Sequence, residues 1–464
     1  MWSASKQSEN KRYVILFNHE NPYIGRGGTE RYIVDQAVLY KNQEVDVLVL
    51  FPLDLRAILG IPFVHGWGVV ENSCFRGIKS VRQVIELINA YNREKECAGV
   101  YIHNIIDLDI DELYAFISFR QKITLFIHDF CTCCKQINLR KNRNEFCGDS
   151  LLYDEKCSDC RFYEKSKKLH AELEAFFAKI PVLRVIAPSE SAARLWAESY
   201  PKYKDNVEIV PHLIPEAVWR DERGKIKPED KIRVAFIGSA IPQKGWNTFA
   251  DAVAMLQKTQ KVRGIELYYL GQSRKTTEGV IQEYVSTHEK GDHAMIDALR
   301  MNRIDAVILF SNCPETYSFT YYESLAANCF VITNKLSGNI AHETKKRGNG
   351  VVIENSSRDL ADLLSDPDLL RESINAFRAK CTTAPLAYSS QIQATIETDD
   401  EPVTGIRQDC KSSRLSAFNA NLAYRIRYSA AFTKIMPVYI APKETADRFV
   451  KTIKQRLSNV GTRR

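Results

Sequence analysis

The strongest constraint on this chain is an alternation that runs, stops and starts again. From Tyr13 to about Pro215, short apolar runs recur between stretches with helical spacing. The runs are Tyr13–Phe17, Val45–Phe51, Gly99–His103, Ile123–Ile127, Leu183–Ala187 and Val207–Val210. Continuous apolar runs of this length, separated by helices, predict strands covered on both faces in a buried parallel sheet. A charged stretch, Asp221–Lys231, then interrupts the pattern and predicts a linker. The alternation resumes at Ile232–Gly238 and continues through Glu266–Gly271, Ala306–Phe310, Phe330–Thr333 and Gly350–Ile353. A chain of 464 residues is also too long for one ordinary core. The expected fold class is therefore α/β, with two Rossmann-like domains facing each other across a cleft. Residues 13–220 and 232–385 are the expected domains, joined by 221–231. Residues 1–12 predict a disordered start. Residues 386–464 predict a return helix near Tyr388–Glu397, then a basic C-terminal extension.

Composition narrows the function classes. Apolar content of 45% and charged content of 26% predict a soluble globular protein. No apolar run approaches the roughly 18 residues needed to span a bilayer. The polar N-terminus lacks a signal-peptide core, which predicts a cytoplasmic location. A net charge of +7 is modest for this length and gives no case for nucleic acid. It suits anionic ligands, and the late basic residues could touch the inner face of an anionic membrane peripherally.

Three motifs carry chemistry. The first, Asn18 to Glu30, contains Gly27-Gly28 after the first strand and before an amphipathic helix. Adjacent glycines let a backbone approach a phosphate or sugar, though they also make an ordinary tight turn. The second, Phe236 to Trp246, places Gly238 and then Lys244-Gly245 at the first strand end of the second half. An ammonium there can sit on a leaving diphosphate; a solvated lysine before a capping glycine is the plainer alternative. The third runs from Cys313 to Cys329. Glu315 lies in the turn after an apolar strand, and Glu323 lies in the helix that the turn opens. The start of that helix, near Phe319 and Thr320, offers N–H groups and the positive end of a dipole to a diphosphate. Glu323 sits among apolar neighbours and needs a polar partner, which a sugar or ribose hydroxyl would supply.

Taken in order, Gly27-Gly28-Thr29-Glu30, His128-Asp129, Lys244-Gly245 and Glu315-x7-Glu323 make the chain resemble a family 4 (group 1) retaining glycosyltransferase of GT-B fold, over roughly residues 13–398. The resemblance implies donor-phosphate contacts for Gly27, Gly28 and Gly238. It implies a place beside the transferred sugar for His128, and the diphosphate for Lys244. Glu315 would contact the sugar and Glu323 the ribose, with amides near Phe319 and Thr320 on the distal phosphate. His128, Lys244 and Glu315 are the expected catalytic residues. Two positions depart from the family pattern: Ser239 replaces the usual arginine, and Glu315-Thr316-Tyr317-Ser318 replaces a glycine-bearing turn.

Six of the twelve cysteines fall between residues 131 and 160. Cys134, Cys147, Cys157 and Cys160 have the spacing C-x12-C-x9-C-x2-C, which suits a tetrahedral four-thiolate Zn²⁺. Reduced thiols packed in a loop are the alternative. The resemblance extends here too, since a subset of the same family carries such an insertion after the His-Asp pair. Asp107-Leu108-Asp109 contains Asp-x-Asp, but acids there are expected to start a helix rather than hold a metal.

The expected function is transfer of a sugar from a nucleotide diphosphate sugar to a hydroxyl acceptor, without a cofactor for catalysis. The resemblance points to a saccharide or lipid-linked saccharide acceptor in bacterial surface polysaccharide or lipopolysaccharide synthesis. The alternatives are a nucleotide-sugar-binding protein without turnover, or another GT-B enzyme such as an epimerase or phosphorylase.

Overall fold

A computed structural model describes residues 11–25, 27–54, 65–142, 145–147, 157–215, 224–259, 264–273, 277–291, 293–380 and 386–388. The strands are β1 (Arg12–Phe17), β2 (Val45–Asp54), β3 (His65–Glu71), β4 (Cys74–Lys79), β5 (Glu96–Ile102), β6 (Lys122–Phe126), β7 (Arg140–Lys141), β8 (Glu145–Phe146) and β9 (Val182–Ala187). They continue as β10 (Val207–Ile209), β11 (Leu213–Pro215), β12 (Ile232–Ile237), β13 (Ile265–Gly271), β14 (Val280–Tyr284), β15 (Ala306–Leu309), β16 (Phe330–Asn334), β17 (Gly350–Ile353) and β18 (Leu386–Tyr388). The mixed α/β class with two parallel sheets is as expected. Among the described residues no helix is long and apolar enough to cross a membrane.

The chain groups into two compact units. One unit holds the described residues up to Val100 together with Ile105–Arg120. The other holds Tyr101–Asn104 and the described residues from Gln121 onward.

In the first unit the strand order is β5-β1-β2-β3-β4. β1 and β2 pair in parallel, but β2, β3 and β4 are antiparallel, which corrects the expectation of a purely parallel sheet. The reason is local. Asn72 and Ser73 both adopt positive φ, at 47° and 69°, so they close a tight hairpin between β3 and β4. Asn72 also caps the neighbouring strand, since its side chain accepts the Val47 N–H at 2.9 Å and donates to Asp46 at 2.9 Å. Gly68 lies directly beneath the Phe51 ring, where any β-carbon would collide. The Asp-x-Asp segment is a helix cap, as anticipated. Asp109 accepts from the amides of Asp111 and Glu112 at the start of helix Ile110–Ile117, and Trp67 Nε1 donates to Glu112 at 2.7 Å.

In the second unit, β10, β9 and β6 are parallel neighbours, and Tyr101 and Ile102 pair with Thr124 and Leu125 of β6. The second parallel sheet has the order β14-β13-β12-β15-β16-β17. Its inner strands β12, β13, β15 and β16 are buried on both faces because alternate residues enter different clusters. Val234 and Phe236 pack with Trp246 and Phe249 of helix Trp246–Lys258. Ala235 and Ile237 pack with Tyr321 and Tyr322 of helix Phe319–Ala326. Leu386–Tyr388 is a strand paired antiparallel to β11, so Tyr388 does not begin the expected return helix. The rest of that helix, the C-terminal extension and residues 1–10 lie outside the described residues.

Candidate active site

From β12, the second sheet's strands proceed one way through β13 and β14. From β15 they proceed the other way through β16 and β17. The reversal leaves a crevice beyond the carboxyl ends of β12 and β15, where open α/β sheets bind ligands. Two of the three charged residues singled out in the second half emerge at this point. Lys244 follows β12 and Glu315 follows β15.

Their loops are stitched together. Asn312 N–H donates to Gln243 O at 3.0 Å, and Asn312 Nδ2 donates to Pro242 O at 2.9 Å. Gly245, at φ 84°, turns the chain into helix Trp246–Lys258 directly against the Phe310 carbonyl, where a β-carbon has no room. Lys244 is thereby held beside Glu315, and Nζ lies 2.7 Å from Oε1. Ser311 Oγ donates to the same carboxylate oxygen at 2.6 Å. The Glu315 side chain is 11% exposed, against 41% for Lys244. Burial works against the lysine charge, but the adjacent carboxylate outweighs it and holds the ammonium above its ordinary range.

Behind Glu315 the backbone is fixed by Gly338. Asn339 N–H donates to Glu315 O at 2.9 Å, and Gly338 itself has φ 58° and ψ −120°. In front, helix Phe319–Ala326 starts at Ser318, whose hydroxyl accepts the Tyr321 N–H at 3.3 Å and lies 3.0 Å from Thr320 Oγ1. Phe319 and Thr320 are half-buried at this start, and Gly238, at φ 95°, lies opposite Thr320. Glu323 is one turn further on and only 2% exposed.

The sequence gives no sign of how His128 reaches this loop. Thr316, next to Glu315, is gripped from two sides. Its hydroxyl donates to the His128 carbonyl at 2.5 Å, and its carbonyl accepts from Ser189 Oγ at 2.8 Å. His128 belongs to a chain of rings, with Nε2 2.9 Å from His103 Nδ1 and the ring 5.3 Å from His212. His212 in turn lies 4.4 Å from Tyr317 and 5.8 Å from Phe319. Asp129 orders the same turn, accepting from Asn104 Nδ2 at 3.1 Å and from the Cys131 amide at 2.8 Å. His103, His212, Ser189, Ser311 and Thr316 thus join His128, Lys244 and Glu315. Ser311 lies four positions from Glu315 and Thr316 is beside it, whereas His103, Ser189 and His212 join the site only through residues distant in the chain.

His103 gives this cluster a pH signature. It is 1% exposed, and burial, then the neighbouring His128 and His212, hold its pKa well below the ordinary 6.5. The folded protein therefore refuses a proton that the unfolded chain accepts, so stability is lost as pH falls below about 6.5. The urea midpoint is expected to drop on acidification from neutral pH, with a shallower dependence in His103→Gln. An equally steep dependence in that variant would remove His103 as the cause.

Gly27 and Gly28 lie in the other unit, exposed at the start of helix Gly28–Asn42. Gly27 has an ordinary extended φ of −85°. Its lack of a side chain makes room for Glu30, whose buried carboxylate folds back over the helix start, and Asn18 Nδ2 donates to that carboxylate at 3.3 Å.

The crevice at β12 and β15 brings together an ammonium, a carboxylate and a helix start, with imidazoles beside them. Such a set can neutralise an anionic leaving group and hold hydroxyls. Comparison with known proteins adds a finding for this half. Residues 218–380 match the family described as glycosyl transferases, group 1. Among solved structures, Anabaena Alr3699/HepE in complex with UDP-glucose is 13% identical, covering 83% of this chain and 95% of that one, with a TM-score of 0.45. Sucrose-phosphate synthase from Thermosynechococcus elongatus is 12% identical, covering 90% and 100%, with a TM-score of 0.46. WaaG, a glycosyltransferase involved in lipopolysaccharide biosynthesis, is 11% identical, covering 82% and 98%, at 0.42. No curated protein matches the chain. At these identities and TM-scores, the functional reading rests on the residues of this chain and on the family match.

Proposed function

We propose that the protein transfers a sugar from a nucleotide diphosphate sugar to a hydroxyl acceptor with retention at the anomeric carbon. The observation that carries this reading is the Lys244–Glu315 pair at the strand-order reversal, inside the segment that matches group 1 glycosyl transferases.

In this reading the diphosphate lies at the start of helix Phe319–Ala326. Lys244 exchanges part of its contact with Glu315 for the phosphate, which frees the carboxylate to accept from sugar hydroxyls. Glu323 takes the ribose, and His128 lies beside the transferred sugar. Gly238 approaches the phosphates. The acceptor oxygen bonds to the anomeric carbon as the bond from that carbon to the phosphate oxygen breaks. The acceptor proton passes to the departing phosphate on the same face, so no covalent intermediate on the protein is required. The chain's contribution is positioning and stabilisation of leaving-group charge, with no metal assigned to the step. The acceptor, a saccharide or lipid-linked saccharide of a bacterial surface glycan, rests on the family resemblance alone. So does action at the cytoplasmic face of the membrane.

Thermal unfolding with a panel of nucleotide diphosphate sugars tests donor binding, and NMR of the transferred sugar tests retention. The reading expects one donor to raise the midpoint and the product to keep the donor's anomeric configuration. No stabilisation by any donor would remove the site, and an inverted product would remove the retaining step. Ser239, in place of a second cation, favours one alternative: a protein that binds the donor without turnover. A donor that stabilises the protein but is never consumed across an acceptor panel would establish it.

A further inference from the structure

The structure separates the six clustered cysteines into two kinds. Cys131 and Cys133 are buried, and Cys133 lies in the packing around Thr132, whose hydroxyl accepts from Trp196 Nε1 at 3.0 Å. Cys134, Cys147, Cys157 and Cys160 are half-buried on the insertion.

The backbone draws these four together. The amides of Cys133 and Cys134 both donate to Phe130 O at 2.9 Å, making a tight turn. At its exit the Gln136 amide points at Cys134 Sγ, 3.3 Å away. Ser166 Oγ accepts the Lys135 amide at 3.0 Å and lies 3.4 Å from the same sulfur, so its own proton can face it. The chain then makes the two-residue hairpin of β7 and β8, and the Cys147 amide returns to Leu139 O at 2.8 Å. Cys157 and Cys160 form a second tight turn, closed by the Cys160 amide on Cys157 O at 2.9 Å. Two contacts hold that turn against the hairpin: Lys141 Nζ to Asp159 at 2.5 Å, and the Arg161 amide to Asn142 Oδ1 at 3.0 Å.

A hairpin of this size cannot hold itself in water, and the polar insertion offers it little apolar core. We propose that Cys134, Cys147, Cys157 and Cys160 form a closed, four-thiolate site for a structural Zn²⁺, which staples the hairpin to the Cys157–Cys160 turn. Four thiolates leave no open position, so the ion has no part in group transfer. Among the described residues, three ligand atoms come within 4.8 Å of one another only at His19, Glu20 and Glu30. No three of the four sulfurs come that close, so binding draws them inward by rotation of side chains on their short turns. The His19 trio has a local explanation in Glu30, which folds over its own helix start. Phe146, beside Cys147, lines a cavity with Arg194, Pro314 and His342, so the ion would also steady a wall near the Glu315 loop.

The test uses the full chain purified under reducing conditions from zinc-supplemented cells. Elemental analysis is expected to find about one zinc per chain, released when a mercurial reagent modifies the thiols. Exchange with Co²⁺ is expected to give the intense visible bands of a tetrahedral thiolate site. Cys157→Ser and Cys160→Ser should lose most of the metal, whereas Cys74→Ser should keep it. Zinc-free protein that shows no thiolate bands with Co²⁺ would overturn the site, and so would full metal content in both turn variants. The Co²⁺ spectrum of the unaltered chain decides the matter even if the variants fail to fold. Donor binding is read separately, so this site and the proposed function can fail independently.

Discussion

Lys244→Ala is expected to lower kcat/KM for sugar transfer by about a hundredfold or more, the scale of losing one preorganised charge at a leaving group. The Lys244 side chain is 41% exposed and packs into no core cluster, so the thermal midpoint should move little. Its partner should fail differently. Glu315→Gln keeps the shape of the carboxylate and loses its charge, and Ser311 can still donate to the amide oxygen. In that variant turnover should fall by a similar factor while affinity for the nucleotide diphosphate alone is kept. Lys244→Ala should weaken that affinity as well. Isothermal titration with the nucleotide product and steady-state kinetics separate the two. Unchanged turnover in both variants would end the assignment of this crevice as the active site.

Gly338→Ala should be the most damaging substitution outside the ion pair. Its φ of 58° with ψ of −120° strains any L side chain. A β-carbon there would also lie 2.6 Å from Glu315 N, 2.7 Å from Glu315 O and 2.7 Å from Pro314 Cα. All three are backbone atoms, so the Pro314–Glu315 segment must move. The expected cost is about 1–3 kcal/mol of stability, with turnover reduced at least about tenfold because the carboxylate leaves its position. Gly348→Ala is the control. It has φ 62° but nothing within 4 Å of an added β-carbon, so it should lose stability and keep turnover. Equal turnover in the two variants would show that Gly338 does not position Glu315.

Lys244 and Glu315 were legible in the sequence because each follows a continuous apolar run, and strand ends are where open α/β sheets keep their sites. The hairpin of β3 and β4 was missed although it has a local signal. Asn72-Ser73 is a turn pair, and Trp67, Val69 and Val70 give the apolar content of a strand. Two glycines, Gly66 and Gly68, dilute that pattern, and the second is explained only by the Phe51 ring above it. The extended backbone of Gly27 was equally hidden, since a glycine pair does not reveal whether it serves a ligand or a neighbouring side chain.

The sequence by itself determined the two runs of alternating strands and helices, the charged residues after β12 and β15, and the four-cysteine spacing. All of these are periodicities or short motifs, set by interactions between residues near one another in the chain. Only the tertiary structure decided that Thr316 is held by His128 and Ser189, 188 and 127 positions away, and that His103, His128 and His212 form one cluster. It also decided that residues 121–215 fall in one compact unit with the second half. Such contacts depend on which loops the packed sheets bring together. No local preference encodes them, because their partners become neighbours only after the apolar faces between them have been buried.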